Sequence, residues 1–389
     1  MKITLITGGA PHYEAGLIAG LAEHDVTVDV IGGDDLANLP ALRHPQVNFR
    51  NFYGGSGPGT ARWRKALRLV TVYFKLFFYA ARCDARLIHI QWPFKLVYFD
   101  RTVLNLYYKA LGKKIVFTAH NVDAAARDGA QSWANRASLR FHYRIMDHII
   151  VHTERMKSEL VQDFGIAESK IAVIPHGIMS AVPETSLGRV DARKRLGLGA
   201  EDRVMLAFGL ISPYKGLEYL AEALGRLHKE HKRFTLVIAG RIKECQDYWS
   251  KIHTLIEREG VTSSVVTHLR HIPDDEVEVF FKAADMLVMP YRGIFQSGVV
   301  FLAYRFGLPV IATDVGSLKE VVIAGQNGFI CKVDDAADLA ETIDRFFASE
   351  LFQDRERRRR QIREHAFARY SWSQIGAQTR QVYERLLQK

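Results

Sequence analysis

The feature that most limits how this chain can fold is a short apolar run that ends in a glycine turn and opens into an amphipathic helix, an alternation that starts the chain and is resumed along it. Ile3-Thr4-Leu5-Ile6 is followed by Thr7-Gly8-Gly9 and then by Leu17, Ile18, Leu21 and Ala22 at helical spacing, which predicts strand, tight turn and helix. A second strand is expected at Val26 to Ile31, where apolar and polar residues alternate until Gly32-Gly33 stops the run. Further apolar runs at Leu87 to Ile90, Ile115 to Thr118 and His148 to Val151 are each followed by a helical or loop segment. Strands separated by helices pair in parallel, and a parallel sheet needs both faces covered.

After Pro175-His176-Gly177 the pattern loosens through Pro183, Gly188, Gly197 and Gly199, and then it restarts. Val204 to Phe208, Thr235 to Ala239, Val265 to Leu269, Met286 to Met289 and Val310 to Thr313 read as five strands of a second sheet. A chain of 389 residues exceeds the size at which single cores stop growing. The expected organisation is a Rossmann-like domain over 1–180, a linker over 181–202, a second Rossmann-like domain over 203–370 and a terminal helix over 371–389 that could pack back on the first. Two doubly wound α/β domains in tandem are expected to face each other across a ligand cleft outside the carboxyl ends of their strands. The charged run Asp354 to Arg360 reads as the solvated face of a helix.

Cys83, Cys245 and Cys331 are odd in number and widely spaced, which predicts neither a disulfide framework nor a metal site and fits a reducing cytoplasm. The amino terminus shows no cleavable signal pattern, and no apolar stretch approaches the ~20 residues that span a bilayer. The net charge of +10 is concentrated: from Arg62 to Lys114 there are twelve Lys or Arg, two Asp, and twelve Phe, Tyr or Trp. At ~100° per residue, Arg64, Arg68, Lys75 and Arg82 share one arc of a helix while Val70, Phe74, Phe77, Phe78 and Ala81 share another. Burial of that apolar arc in the first core is the plain expectation, with the basic face turned to an anionic membrane surface as the functional one. Nucleic acid is the weaker partner, because no recognisable binding module accompanies the bases and aromatics.

Two strand-to-helix turns of the second domain carry polar groups suited to an anion. In Phe208-Gly209-Leu210-Ile211-Ser212-Pro213-Tyr214-Lys215-Gly216 a helix start would offer free N–H groups with a full charge from Lys215 beside them; the plain alternative is a surface lysine on an ordinary turn. In Pro290-Tyr291-Arg292-Gly293-Ile294-Phe295-Gln296-Ser297-Gly298-Val299, Gln296 and Ser297 supply side-chain hydrogen bonds and Gly298 allows close approach to the backbone. The alternative there is a capped helix with Ser297 as N-cap. In the first domain, His120 in Thr118-Ala119-His120-Asn121 closes a strand, where an imidazole can bond a ligand hydroxyl or move a proton. Gly8, Gly9, His12 and Tyr13 in the first turn are candidates for an acceptor or a phosphate.

Gly307-Leu308-Pro309-Val310-Ile311-Ala312-Thr313-Asp314-Val315-Gly316-Ser317 with Glu320-Val321-Val322, the Gly-x5-Lys-Gly element at Gly209 to Gly216, and Val173-Ile174-Pro175-His176-Gly177-Ile178 together resemble glycosyltransferase family 4 in order and spacing over nearly the whole chain. The resemblance implies a GT-B fold, retention of anomeric configuration, no required metal or other cofactor, and a nucleotide-sugar donor. It implies donor contacts at Gly209, Ser212, Lys215, Tyr291, Gln296, Ser297, Gly298, Val299 and Glu320, with backbone around His271 and Ile272 meeting the base. Acceptor contacts fall at Gly9, His12, Tyr13 and Asn121, and His120 and Lys215 take the catalytic places. Two positions depart from the family. The paired glutamates common before the Gly-x-Pro-Val element are Ile294 and Leu302 here, and the frequent arginine after the first glycine of the lysine element is Leu210. The Gln296-Ser297-Gly298-Val299 form resembles one branch of the family, and Arg241 or Arg270 at strand ends could restore the lost charge. The implied activity is transfer of a sugar from a UDP- or GDP-linked donor to a carbohydrate, lipid-linked acceptor in bacterial surface or exopolysaccharide synthesis. A nucleotide-sugar epimerase of the same fold and a nucleotide-sugar- or glycan-binding protein without turnover remain the alternatives.

Overall fold

The computed structural model describes residues 1–55, 61–123, 132–179, 182–230, 233–242, 245–294 and 297–388. The chain divides into two compact units, Met1–Gly177 with Tyr370–Lys389, and Ile178–Arg369. The first holds seven strands: β1 (Lys2–Ile6), β2 (Thr27–Gly32), β3 (Val47–Asn51), β4 (Leu87–Ile90), β5 (Lys114–Thr118), β6 (His148–Val151) and β7 (Ile171–Val173). They lie in the order β3-β2-β1-β4-β5-β6-β7, every pair parallel. The second unit holds β8 (Val204–Phe208), β9 (Thr235–Ala239), β10 (Val265–His268), β11 (Met286–Met289), β12 (Val310–Thr313) and β13 (Gly328–Cys331), in the order β10-β9-β8-β11-β12-β13 and again all parallel. Both units are thus doubly wound α/β layers of the Rossmann kind, as the alternation predicts.

Side chains alternate across each sheet because strand periodicity is two. In the first unit Ile3, Leu5, Val28, Val30 and Ile150 enter one core with helix Pro11–Glu23, while Ile6, Ile31, Ile88, Ile115 and Ile149 enter the core on the other face. The terminal helix Trp372–Leu387 lies in the first of these cores, through Trp372, Ile375, Val382 and Tyr383. Its approach to helix Pro11–Glu23 is a glycine contact: a Cβ on Gly20 would stand 2.0 Å from the Trp372 carbonyl oxygen, and one on Gly376 would stand 2.2 Å from the Gly20 carbonyl oxygen. In the second unit, Arg193 of helix Arg189–Arg195 is 0% exposed. Its guanidinium donates to Asp285 at 2.8 Å and to the carbonyls of Ala283, Gly199, Ala200 and Asp202, while the other face of the Asp285 carboxylate takes Arg189.

Helix Arg62–Arg82 corrects one expectation. Val70, Phe74 and Phe78 do not enter the core; with Trp63 and Leu67 they form an exposed stripe, Trp63 and Phe74 being 64% and 60% exposed. The buried residues are Val72, Tyr73, Leu76 and Ala80. The helix is apolar on two opposite sides, and Tyr73 decides which is inward, since its hydroxyl donates to buried Asp100 at 2.7 Å.

Candidate active site

In an open parallel sheet a crevice forms at the carboxyl edge where strand order reverses. Here that point lies between β1 and β4 in the first unit and between β8 and β11 in the second.

In the first unit, the residues that follow β1, β4, β5, β6 and β7 bring together Gly9, Tyr13, Trp92, His120, His152 and His176. His120 sits directly after β5. Its Nε2 lies 2.9 Å from the Gln91 amide oxygen and its Nδ1 lies 3.1 Å from His152 Nε2. Trp92 stacks on it with centroids 4.8 Å apart. The Tyr13 ring stands edge-on to His120, His152 and His176 at 4.6, 5.4 and 5.1 Å. Burial pushes His152 down to about 3 and His176 to about 4, and it lowers His120 well below 6.5 with the neighbouring imidazoles adding to the effect. These rings are neutral at pH 7. Tyr13 is buried and serves as the packing centre of the cluster, while His12 and Asn121 are half-exposed.

The glycine turn after β1 is closed from inside. Glu14, fully buried, accepts from the Gly8 and Gly9 backbone N–H groups at 2.8 and 3.3 Å, and burial raises its carboxyl. The N–H groups considered for an external phosphate therefore already have an acceptor. Gly9 itself is needed for clearance, since a Cβ there would lie 3.0 Å from the Trp92 ring.

In the second unit, β8 ends in Gly209, whose φ of 101° favours glycine, and the turn Pro213–Lys215 delivers the chain to helix Leu217–Lys229. Gly216 at φ 62° is also obligatory, because a Cβ would meet the Pro290 carbonyl oxygen at 2.0 Å. That close approach presses the lysine turn against the end of β11. Lys215 is 7% exposed, and its Nζ donates to the Phe208 carbonyl at 3.0 Å and to the Tyr291 hydroxyl at 2.6 Å. Among the described residues no carboxylate pairs with it. Burial pushes the ammonium down to about 8. An ammonium held by neutral oxygens beside the switch point can attract an anion.

Beyond β11, Ser297 caps helix Gly298–Arg305, accepting from the Val299 N–H at 3.4 Å, and Thr313 at the end of β12 donates to the Tyr291 carbonyl at 2.6 Å. Gly298 and Val299 are half-exposed at that helix start. Gln296 lies outside the described residues. Arg241 follows the end of β9 and is exposed, Ser212 precedes the lysine turn, Ile272 is buried and Glu320 is half-exposed on the short helix Leu318–Val321. Arg270 is already engaged: its guanidinium forms an ion pair with Glu276 and donates to the His271 carbonyl at 3.2 Å. Sequence reasoning passed over Glu14, Gln91, Trp92 and His152. A usable signal existed for three of them, since Gln91-Trp92 and His152 follow apolar runs at the carboxyl ends of β4 and β6, where ligand groups gather.

A family model described as Glycosyltransferase Family 4 matches residues 7–181, and one described as Glycosyl transferases group 1 matches residues 189–366. Sucrose-phosphate synthase from Thermosynechococcus elongatus superimposes with a TM-score of 0.75 at 22% identity, covering 100% of this chain and 99% of that one. Anabaena HepE in complex with UDP superimposes with a TM-score of 0.75 at 20% identity, covering 99% of this chain and 100% of that one. Two doubly wound parallel sheets with these neighbours make the fold GT-B. D-inositol 3-phosphate glycosyltransferase from Streptomyces bingchenggensis is 30% identical over 61% of this chain, a match that spans 52% of that protein's length. Its counterpart from Paenarthrobacter aurescens is 26% identical over 97% of this chain and 92% of its own length. The chain belongs to the glycosyltransferases that join a family 4 amino-terminal unit to a group 1 carboxyl-terminal unit.

Proposed function

We propose that this enzyme moves a sugar, with retention, from a nucleoside diphosphate sugar to a carbohydrate acceptor carried on a lipid, in the building of a bacterial surface or exocellular polysaccharide. The observation that carries the proposal is Lys215, a buried ammonium at the carboxyl end of β8 that donates to two neutral oxygens, lies 4.6 Å from the centre of the Tyr291 ring, and pairs with no carboxylate among the described residues. In this reading a diphosphate supplies the missing negative charge, with the N–H groups at the start of helix Gly298–Arg305 and a contact from Arg241 beside it. Leu210, Ile294 and Leu302 are apolar in place of the frequent arginine and the paired glutamates, so ribose and phosphate are held by other groups, Gln296 and Ser297 first. The solved neighbours described as complexes of Anabaena HepE with UDP and with UDP-glucose favour a uridine donor over a guanosine one. No metal enters the reaction as proposed.

As the glycosidic bond breaks, negative charge grows on the departing diphosphate, and Lys215 and the helix-start N–H groups stabilise it. The same phosphate oxygen then takes the proton of the acceptor hydroxyl on the face it has left, which retains configuration. His120 bonds a sugar hydroxyl. A thermal-shift screen of UDP, GDP and their common sugars identifies the donor, and NMR of the product's anomeric proton tests the stereochemistry; an inverted product rules the mechanism out.

The acceptor is placed at a membrane for a separate reason. The exposed stripe Trp63, Leu67, Val70, Phe74 and Phe78 lies beside Arg64, Lys65, Arg68 and Arg82 on one helix, with Leu96, Val97, Tyr98, Val103 and Leu106 exposed on the neighbouring segment of the same unit. Apolar side chains flanked by arginines suit the interface of an anionic bilayer. Among the described residues no helix is long and apolar enough to cross a membrane, so the contact proposed is peripheral.

A further inference from the structure

Five contacts run in line through the first unit. Tyr383 Oη lies 2.5 Å from His89 Nδ1, His89 Nε2 lies 3.0 Å from the Gln91 amide, the other end of that amide lies 2.9 Å from His120 Nε2, His120 Nδ1 lies 3.1 Å from His152 Nε2, and His152 Nδ1 lies 3.0 Å from the Ile174 carbonyl oxygen. One end of this line is fixed by chemistry. A carbonyl oxygen only accepts, so His152 Nδ1 carries a hydrogen. With both imidazoles held neutral by burial, each ring has one donor nitrogen and one acceptor nitrogen.

The rest follows link by link. A neutral His152 protonated on Nδ1 has a bare Nε2, so His120 Nδ1 donates to it. His120 then has a bare Nε2, which is satisfied only by the NH2 end of Gln91. A half-turn of the Gln91 amide, which exchanges two groups of nearly equal shape, supplies that hydrogen and turns the amide oxygen toward His89 Nε2. His89 therefore donates from Nε2, to the amide and to Thr118 Oγ1 at 2.7 Å, and accepts from the Tyr383 hydroxyl on Nδ1. Burial holds His89 down to about 3, so it too is neutral. Every link is then satisfied without a charged ring. With the amide oxygen toward His120, the orientation seen here, the same line closes only if His120 or His152 takes an extra proton, which burial opposes for both.

We infer that His152, anchored on the Ile174 carbonyl, is a positioning residue that fixes His120 in the Nδ1–H tautomer, so that His120 meets its sugar as a hydrogen-bond acceptor through Nε2 and never as a donor. Gln91 is the placeholder on that lone pair until the substrate arrives. The consequence is a rule of specificity: the sugar must present a hydroxyl hydrogen to His120, and a fluoro or methoxy group at that carbon cannot substitute for it. This rests on the reading above that His120 touches a sugar, but the tautomer is set by the protein alone.

The test is 15N NMR of the full-length protein with labelled histidines at pH 7. His120 is expected to show a protonated Nδ1 and a bare Nε2. Gln91→Glu places acceptors toward both rings and, with His152 Nε2 still calling for a hydrogen from His120 Nδ1, is expected to protonate both nitrogens of His120. His152→Leu removes the acceptor and is expected to give a mixture, whereas His152→Gln, which can accept from His120 and donate to Ile174, keeps the original pattern. A protonated Nε2 in the parent protein, or an unchanged pattern in folded His152→Leu, overturns the inference. Sugar transfer is read separately: Gln91→Glu should lower kcat on the order of a hundredfold without changing nucleotide affinity, and His152→Gln should stay near the parent value. If the tautomers behave as stated but transfer is indifferent to all of these changes, it is the place of His120 beside the sugar that fails.

Discussion

At the residue scale, the proposed role of Lys215 as a diphosphate ligand has a pH signature. Its environment lowers the ammonium to about 8, and a bound diphosphate favours the charged form and raises it again. Below pH 8 the free lysine already carries its proton, so donor affinity is flat there. Above pH 8 binding must be coupled to proton uptake, and affinity is expected to fall toward about tenfold per pH unit until the pKa of the complex is reached. Isothermal titration with UDP between pH 6.5 and 9.5 reads this directly. Lys215→Met should bind on the order of tenfold to a hundredfold more weakly and lose the alkaline dependence. This residue's position in the sequence was legible, because a lysine before glycine at a strand-to-helix turn is a recognisable pattern. Its isolation from carboxylates was not, because that depends on what β8 and β11 bring beside it. Gln91 and His152 were legible only as strand-end positions; what each does depends on a neighbour some thirty residues away.

At the element scale, the internal strands were read from sequence and three edge strands were missed. Internal strands of a parallel sheet are buried on both faces and appear as continuous apolar runs. All three missed strands lie at a sheet edge; β3 (Val-Asn-Phe-Arg-Asn) lacks that signature, while β7 (Ile171–Val173) and β13 (Gly328–Cys331) are apolar runs of only three and four residues. Helix Arg62–Arg82 is a different failure, of face and not of type. Its periodicity identifies two apolar sides and cannot say which one meets the core. The structure gives the inward side to Tyr73 and Leu76, so Trp63→Ser with Phe74→Ser should leave the melting temperature nearly unchanged, within about 0.5 kcal/mol per site, while abolishing flotation with anionic vesicles. If the pair unfolds the protein, the assignment of faces is wrong. The glycine contact between helices Pro11–Glu23 and Trp372–Leu387 predicts the opposite behaviour for a small change. Gly20→Ala pushes a methyl into the Trp372 carbonyl and should cost about 1–3 kcal/mol, read as a lowered melting temperature.

At the scale of the whole molecule, each unit has one feature that its stability depends on. The first unit is discontinuous in sequence: Trp372, Ile375, Val382 and Tyr383 return from the chain end to complete a core begun by Ile3 and Leu5. A stop after Arg369 should remove hydrogen-exchange protection throughout residues 1–177, since the loss of Trp372 alone is worth about 3–5 kcal/mol. In the second unit, Asp285→Ala leaves the buried Arg193 and Arg189 without their carboxylate and should destabilise by about 3–5 kcal/mol, measured by urea denaturation. What the sequence determined by itself was the local grammar: glycine turns after apolar runs, two rounds of strand and helix, and a lysine at one turn, all of which follow from periodicity and backbone geometry. The tertiary structure alone decided which face of the basic helix is inward, where Arg193 finds its acceptors, and how a line from Tyr383 through His120 reaches the Ile174 carbonyl. These depend on distances between residues far apart in the chain, and such distances exist only once the sheets have brought them together.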